Sequence, residues 1–249
     1  MADTVVPSLQ TYAVCSVPIS VAGTAAAAAR IVTAAAHKES LQVHLCNAYT
    51  LSLVDRDQSM REALLDSDLN LADGAPVAWL GRTYGMTGPV RGAHLVGEVT
   101  RRGSGVVHHY LYGGKEGVAE LMAKKLRDSV PGASIVGAEC PPFGALTDHD
   151  VDALAARVRA SGANLLWIGL GTPRQDYLVH RLAPQLSMPV VPIGAAFDFW
   201  SGAIREAPEA LHGSGFEWLH RLASEPRRLW RRYLLGNPRF LLAAWRHRL

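Results

Sequence analysis

The chain has 249 residues, 49% of them hydrophobic and 19% charged, with a formal net charge of +3. That supplies ample material for a buried core and excludes a mostly disordered, collagen-like or low-complexity protein. The charge is uneven: residues 213–249 hold eight Arg against Glu217 and Glu225, a net of +6, which leaves −3 for residues 1–212.

In chain order, Thr24 to Ala36 reads as a helix and Leu41 to Cys46 as a strand. A helix around Ser59 to Leu65 and a short extended piece, LNLA, lead into Asp73-Gly74. Pro76 to Tyr84 suits a helix with Pro in its first turn. Val106 to Tyr112 reads as a strand ending at Gly113-Gly114, and Glu116 to Arg127 as a helix. Ser134 to Glu139 is a strand, Asp148 to Ala160 a helix, and Asn164 to Gly171 an apolar strand. A helix over Pro173 to Leu182 and an apolar run from Pro189 to Phe197 close the series. Strands alternating with helices predict an α/β, Rossmann-like, mainly parallel sheet with helices on both faces. The rhythm stops between Ser201 and Gly215. We therefore expect residues 1–200 to form the Rossmann-like domain and residues 201–249 an Arg/Trp-rich helical appendage.

Compartment signals are few. The three Cys are odd in number and widely spaced, so they suggest neither a disulfide framework nor a zinc site. MADTVVPSLQ lacks a basic n-region and is not read as a secretory signal. The Ala-rich stretch Ala22 to Ala36 is interrupted by Arg30 and is too short to span a bilayer. A cytoplasmic protein is expected.

Ligands of open parallel sheets bind beyond the carboxyl ends of the strands. That rule selects Asn47, Asp73-Gly74, the YGGKEG turn and the GLGTPRQ turn, with Asp198 close behind. Glycines at such turns let backbone N–H groups approach a phosphate at a helix N-terminus, or simply supply a tight turn. In GLGTPRQ, Thr172 suits an N-cap and Pro173 a first helical turn. The sixth position is Arg174 rather than Gly, which disfavours a dinucleotide oxidoreductase. Asp73 at a strand end can act as a general base toward a substrate hydroxyl, or can cap a turn. Asp55-Arg56-Asp57 mimics a DxD metal motif but precedes a helix, where Asp caps are common. His108 and His109 alternate along a strand and point to opposite faces, so they cannot chelate one ion. No metal site and no cofactor are expected.

The tail segment EPRRLWRRYLLGNPRF has Pro226 placed to start a helix and Gly236 and Pro238 to end it. At ~100° per residue, Arg227, Arg228, Arg231 and Arg232 cover one arc of about 140°, opposite Leu229, Trp230, Tyr233 and Leu234. Such a segment reads as an interfacial membrane helix with Arg on headgroups or diphosphates. Nucleic-acid binding and plain docking on the body are the competing uses of the same residues. A net-negative body without a nucleic-acid motif argues against the former.

Taken together, NAYTLSLVDRD, ADGAPVAW, YLYGGKEGVAE, WIGLGTPRQ, IGAAFDFWSG and GFEWLHRLASEPRRLWRRYLLGNPRF follow the order seen in the WecG/TagA/CpsF glycosyltransferases, family 26. The resemblance covers about residues 41–242, and its last block is the most specific. It implies an inverting, metal-independent enzyme moving a sugar from a UDP-sugar to a polyprenyl-diphosphate-linked saccharide at the cytoplasmic membrane face. By position it implies Asp73 as base and Asn47 as an active-site Asn. Gln175 matches the Gln of GxGxPxQ, and Asp198 the Asp of GAFD. Pro89 stands where the family usually has Arg, with Arg91 as a substitute. The expected substrate-binding residues are Gly113, Gly114, Gly171, Thr172, Arg174, Gln175, Asp198 and Arg91. Arg221, Arg227, Arg228, Arg231 and Arg232 are expected on diphosphate or membrane. The expected partners are a UDP-sugar, the lipid-linked acceptor and an anionic membrane, with no nucleic acid; a homo-oligomer stays open. A non-catalytic sugar-nucleotide or lipid-carrier binding subunit is the alternative reading.

Overall fold

All six residues from Leu41 to Cys46 are buried, as a strand at the centre of a sheet covered on both faces must be. The computed structural model describes residues 9–142, 144–208, 211 and 215–247. Residues 1–8, Arg248 and the side chain of Arg228, on which parts of the sequence reading fall, lie outside the described residues.

The chain begins with a hairpin, β1 (Thr11–Val14) and β2 (Val17–Ser20), followed by α1 (Thr24–Ala36) and β3 (Leu41–Cys46). Next come α2 (Ala48–Ser52), α3 (Gln58–Leu65), β4 (Leu69–Ala72), α4 (Ala75–Leu80), a 3₁₀ turn at Arg82–Tyr84, and α5 (Gly92–Arg102). Three strand–helix units follow: β5 (His108–Gly113) with α6 (Val118–Ser129), β6 (Ser134–Glu139) with α7 (Asp148–Ala160), and β7 (Leu165–Gly169) with α8 (Arg174–Leu182). The body ends in β8 (Pro189–Pro192) and α9 (Ala196–Ser201). The tail forms α10 (Glu217–Ser224), α11 (Pro226–Leu234) and α12 (Gly236–Arg246).

The eight strands make one sheet in the order β1-β2-β4-β3-β8-β7-β5-β6. Only β1 and β2 pair antiparallel; every other neighbour is parallel. One face is covered by α1, α5, α6 and α9 around Trp167, Leu111 and Phe197. The other carries α7 and α8 over Tyr112, Leu166 and Ile168. A third apolar cluster joins β1 and β2 to α2, α3 and α4, and takes in Phe240, Ala243 and Ala244 of α12. The tail therefore returns to the body: α12 packs on α2, and His247 bonds Asp55 at 2.7 Å and Ser16 at 2.8 Å.

Several expected boundaries shift. The apolar run Pro189 to Phe197 is not one strand, because Gly194 turns the chain at φ +47° and α9 begins at Ala196. The Pro76 to Tyr84 helix breaks at Gly81 into α4 and the 3₁₀ turn. Pro238 does not end the tail helix. It occupies the first turn of α12, where its missing N–H costs nothing.

Candidate active site

Strand order reverses between β3 and β8: the chain leaves β3 toward β4 on one side, while β8 arrives from β7 on the other. Beyond the carboxyl ends of these two strands lies a cleft of about 550 Å³, the position expected for a ligand in such a sheet. Asn47 follows β3 and Asp73 follows β4. Parallel pairing of Cys46 with Ala72, and the Asp73 N–H donating to the Cys46 carbonyl at 2.9 Å, bring the two side chains together. Asn47 Nδ2 donates to Asp73 Oδ2 at 3.1 Å. Asn47 Oδ1 accepts from the backbone N–H groups of Tyr49 and Thr50, capping α2.

Burial pushes the Asp73 carboxyl above the ordinary carboxylate range. The Asn47 hydrogen bond and the charges of Arg232 and Arg221 pull it back, while Glu217 pushes it further up. A carboxylate so placed is a better proton acceptor than a free one and faces the cleft. Arg221, Arg231 and Arg232 line the same cleft. Arg232 is enclosed, its pKa lowered by that burial. Its guanidinium carbon lies 5.2 Å from the centre of the Tyr49 ring, and its Nε has no partner. Arg221 stacks over Phe199 at 5.5 Å.

The phosphate-site candidates divide. Gly114, Gly171, Thr172, Arg174, Gln175 and Asp198 line the cleft, and Arg91 does too. Gly113 does not: a side chain there would meet the Gly169 backbone at 2.5 Å, so its smallness lets β5 and β7 end side by side. Thr172 is not the N-cap of α8. The cap is Pro173, whose ring has no hydrogen-bonding group to offer, and the helix starts at Arg174. Gln175 instead stabilises the turn, its Oε1 accepting from the Gly171 N–H at 3.0 Å. Arg91 is already paired, to Glu206 at 2.9 Å and Glu217 at 3.5 Å, while its Nη1 is buried without a partner.

The DxD look-alike is occupied with structural work. Asp57 caps α3 through the Met60 N–H at 3.0 Å and accepts from the Tyr177 hydroxyl; Asp55 holds His247. His109 is buried and accepts from Trp167 Nε1, whereas His108 is exposed and bonds Ser134. Among the described residues no group of three His, Cys, Asp or Glu side chains is placed to hold a metal.

The tail differs from its helical-wheel expectation. Leu229 does not share the exposed apolar arc; it is buried at the cleft wall with Arg232, one turn apart on the edge of α11 that meets the body. Trp230 and Leu234 remain exposed, with Leu235, Leu241, Leu242 and Trp245 beyond them. Arg227 is exposed and does not line the cleft. Lys115, in the YGGKEG turn, lines the cleft as that turn was expected to; sequence reasoning did not single out Tyr49, Glu206, Glu217 or Trp218, all of which line the cleft or the chamber beside it. The one usable signal was GFEWLH, whose acid sits at the head of a basic segment. The model of the Glycosyl transferase WecG/TagA/CpsF family matches residues 12–249.

Proposed function

Because the chain belongs to the WecG/TagA/CpsF glycosyltransferase family, with its role in cell-surface polysaccharide biosynthesis, we propose that it is an inverting enzyme using Asp73 as base. In this reading a UDP-sugar lies across the turns after β5, β7 and β8, and a polyprenyl-diphosphate-linked saccharide provides the attacking hydroxyl. Asp73 takes the hydroxyl proton as the oxygen bonds the anomeric carbon. The bond to UDP breaks on the opposite face, and its electron pair leaves with the diphosphate.

The observation that carries this reading is the enclosed Asp73–Asn47 pair facing Arg221 and Arg232 across one cleft. A base with a raised pKa and cations for the departing diphosphate are the two demands of the reaction. Arg231, the start of α6 behind Gly114, and the first turn of α8 add positive potential there. These groups offset the leaving-group charge without a metal. Arg91, held by two carboxylates, is read as a residue that ties the tail to the body rather than as a free phosphate ligand.

No helix among the described residues is long and apolar enough to cross a membrane. In this reading it works peripherally at the cytoplasmic face; attachment to a membrane surface is supported by the exposed Trp230, Leu234, Leu235, Leu241, Leu242 and Trp245 of the tail. The deciding experiment is a UDP-sugar panel with a synthetic polyprenyl-diphosphate saccharide and mass detection of products. A glycosylated lipid with inverted anomeric configuration is expected. UDP-sugar binding without any product would favour the non-catalytic carrier-binding subunit.

A further inference from the structure

Asp73 lines two chambers, not one. Beside the main cleft lies a smaller one of about 140 Å³, between the body and the tail. The two share Asn47, Tyr49, Asp73, Glu217, Arg221 and Arg232, so two carboxylates and two guanidinium groups form the partition. The large chamber has the glycine turns and helix starts that suit a nucleoside diphosphate sugar. The small one lacks the turns after β5, β7 and β8 and is lined instead by the starts of α2, α4 and α10 with Tyr233 and Asn237.

Its walls are of another kind. Trp218 of α10 and Tyr233 of α11 lie with ring centres 5.7 Å apart, inclined at 50°. Pro76 of α4, the Gly74 backbone and Asn237 of α12 line it with them. Aromatic faces beside a few hydrogen-bonding groups are what a pyranose asks for: its axial C–H face packs on the rings while its hydroxyls are bonded at the edge. The volume suits one sugar ring rather than a sugar nucleotide. In the partition, Arg232 Nε is buried and unpartnered, a donor that a ligand oxygen would satisfy.

We infer that this chamber receives the acceptor's terminal glycosyl residue, with Trp218 and Tyr233 packing on its ring and its attacking hydroxyl turned to Asp73. The inference rests on the glycosyltransferase reading above. The hydroxyl oxygen forms the new bond to the anomeric carbon across the partition. Its proton passes to Asp73, and the broken bond's electrons leave with UDP in the large chamber. Trp218 and Tyr233 thus belong to acceptor recognition and leave the donor untouched.

The test measures both substrates separately in the full-length protein. UDP affinity and UDP-sugar hydrolysis without acceptor report the donor side, and KM for a short-chain polyprenyl-diphosphate N-acetylhexosamine reports the acceptor side. Trp218→Ala is expected to raise acceptor KM at least about tenfold, the scale of losing one good aromatic contact, with UDP affinity and hydrolysis unchanged. Trp218→Phe and Tyr233→Phe, which keep a ring, are expected to stay within about threefold of the parent. An unchanged acceptor KM in Trp218→Ala overturns the inference, as does a loss of UDP affinity equal to the loss for acceptor. A parent protein that neither binds UDP nor turns over UDP-sugar instead removes the underlying reading, and the chamber's assignment with it.

Discussion

A single amide, that of Asn47, both caps α2 and holds Asp73: Oδ1 accepts from two backbone N–H groups while Nδ2 donates to the carboxylate at 3.1 Å. Asn47→Asp separates the two jobs. The new carboxylate still caps the helix, but it places an oxygen where Asp73 now meets an N–H. Two carboxylates that close cannot both ionise readily, so one proton is held to higher pH. Transfer at neutral pH should fall at least about tenfold, with partial recovery as pH rises and both groups ionise. A pH–rate profile identical to the parent's would show that the amide serves only the helix.

Asp73 itself gives a two-sided prediction. Loss of a general base should lower turnover by at least about a hundredfold in Asp73→Asn. Stability should move the other way. Its folded pKa is raised by burial, so the folded chain binds more protons than the unfolded chain between the two pKa values. The stabilising share of this site is therefore present below the unfolded pKa and is lost as pH rises through the folded one. At neutral pH the charged form is a net cost that the neutral amide lacks. Thermal melts at neutral pH should place Tm of Asp73→Asn at or above the parent's, with the difference vanishing in acid. A melt well below the parent's at neutral pH would assign Asp73 a structural role.

Glu217 tests the electrostatics without touching the base. Its charge helps to raise the Asp73 pKa, and it also pairs with Arg91. Glu217→Gln removes that charge and leaves Arg91 its stronger bond to Glu206 at 2.9 Å. The acidic limb of kcat/KM, which reports the free enzyme, should therefore move to lower pH. An acidic limb that stays in place or moves upward would mean that another group sets it.

Legibility in the sequence followed the physics of each element. The strand Leu41–Cys46 and the helices Thr24–Ala36 and Asp148–Ala160 could be bounded as they stand, because continuous apolar runs or periodic faces end at small or capping residues. The β1–β2 hairpin was not legible: its turn uses Cys15 and Ser16 at φ +53° and +64°, with none of the Asn-Gly chemistry that signals such turns. Helix α5 was hidden by Gly92 and Gly97. Gly97 lies in an element interior because any side chain would press on Trp200 at 3.2 Å. At the site, Asn47 and Asp73 could be found from strand ends alone. The pairing of Arg91 with Glu206 and Glu217 could not, since it joins segments far apart in the chain and depends on how the tail folds back. Charge counting found a cationic tail. Only the fold shows that Arg221 and Arg232 turn into the cleft while Trp230 and Trp245 turn out, with the exposed Arg231 at the cleft's edge, 5.2 Å from the centre of the Trp230 ring.

That division of the tail predicts two separable phenotypes. Trp245 and Leu241 are 76% and 66% exposed, on a helix that anchors to the body by Phe240, Ala243 and Ala244. Replacing both by Ser removes apolar surface that contributes nothing to the core, so the fold should hold. Binding to phosphatidylglycerol vesicles in a sedimentation assay should drop at least about tenfold, since burial of such side chains in the acyl boundary drives interfacial attachment. Transfer to a short, soluble acceptor should stay near the parent's. Arg232→Gln should do the reverse: vesicle binding is kept, and turnover falls about a hundredfold or more on soluble and membrane-borne acceptors alike, the scale for removing one charge-stabilising donor. The contrast is what matters. If the Ser variant lost soluble turnover, or the Gln variant lost vesicle binding in equal measure, the inner arginines and the outer aromatics would not be doing separate jobs.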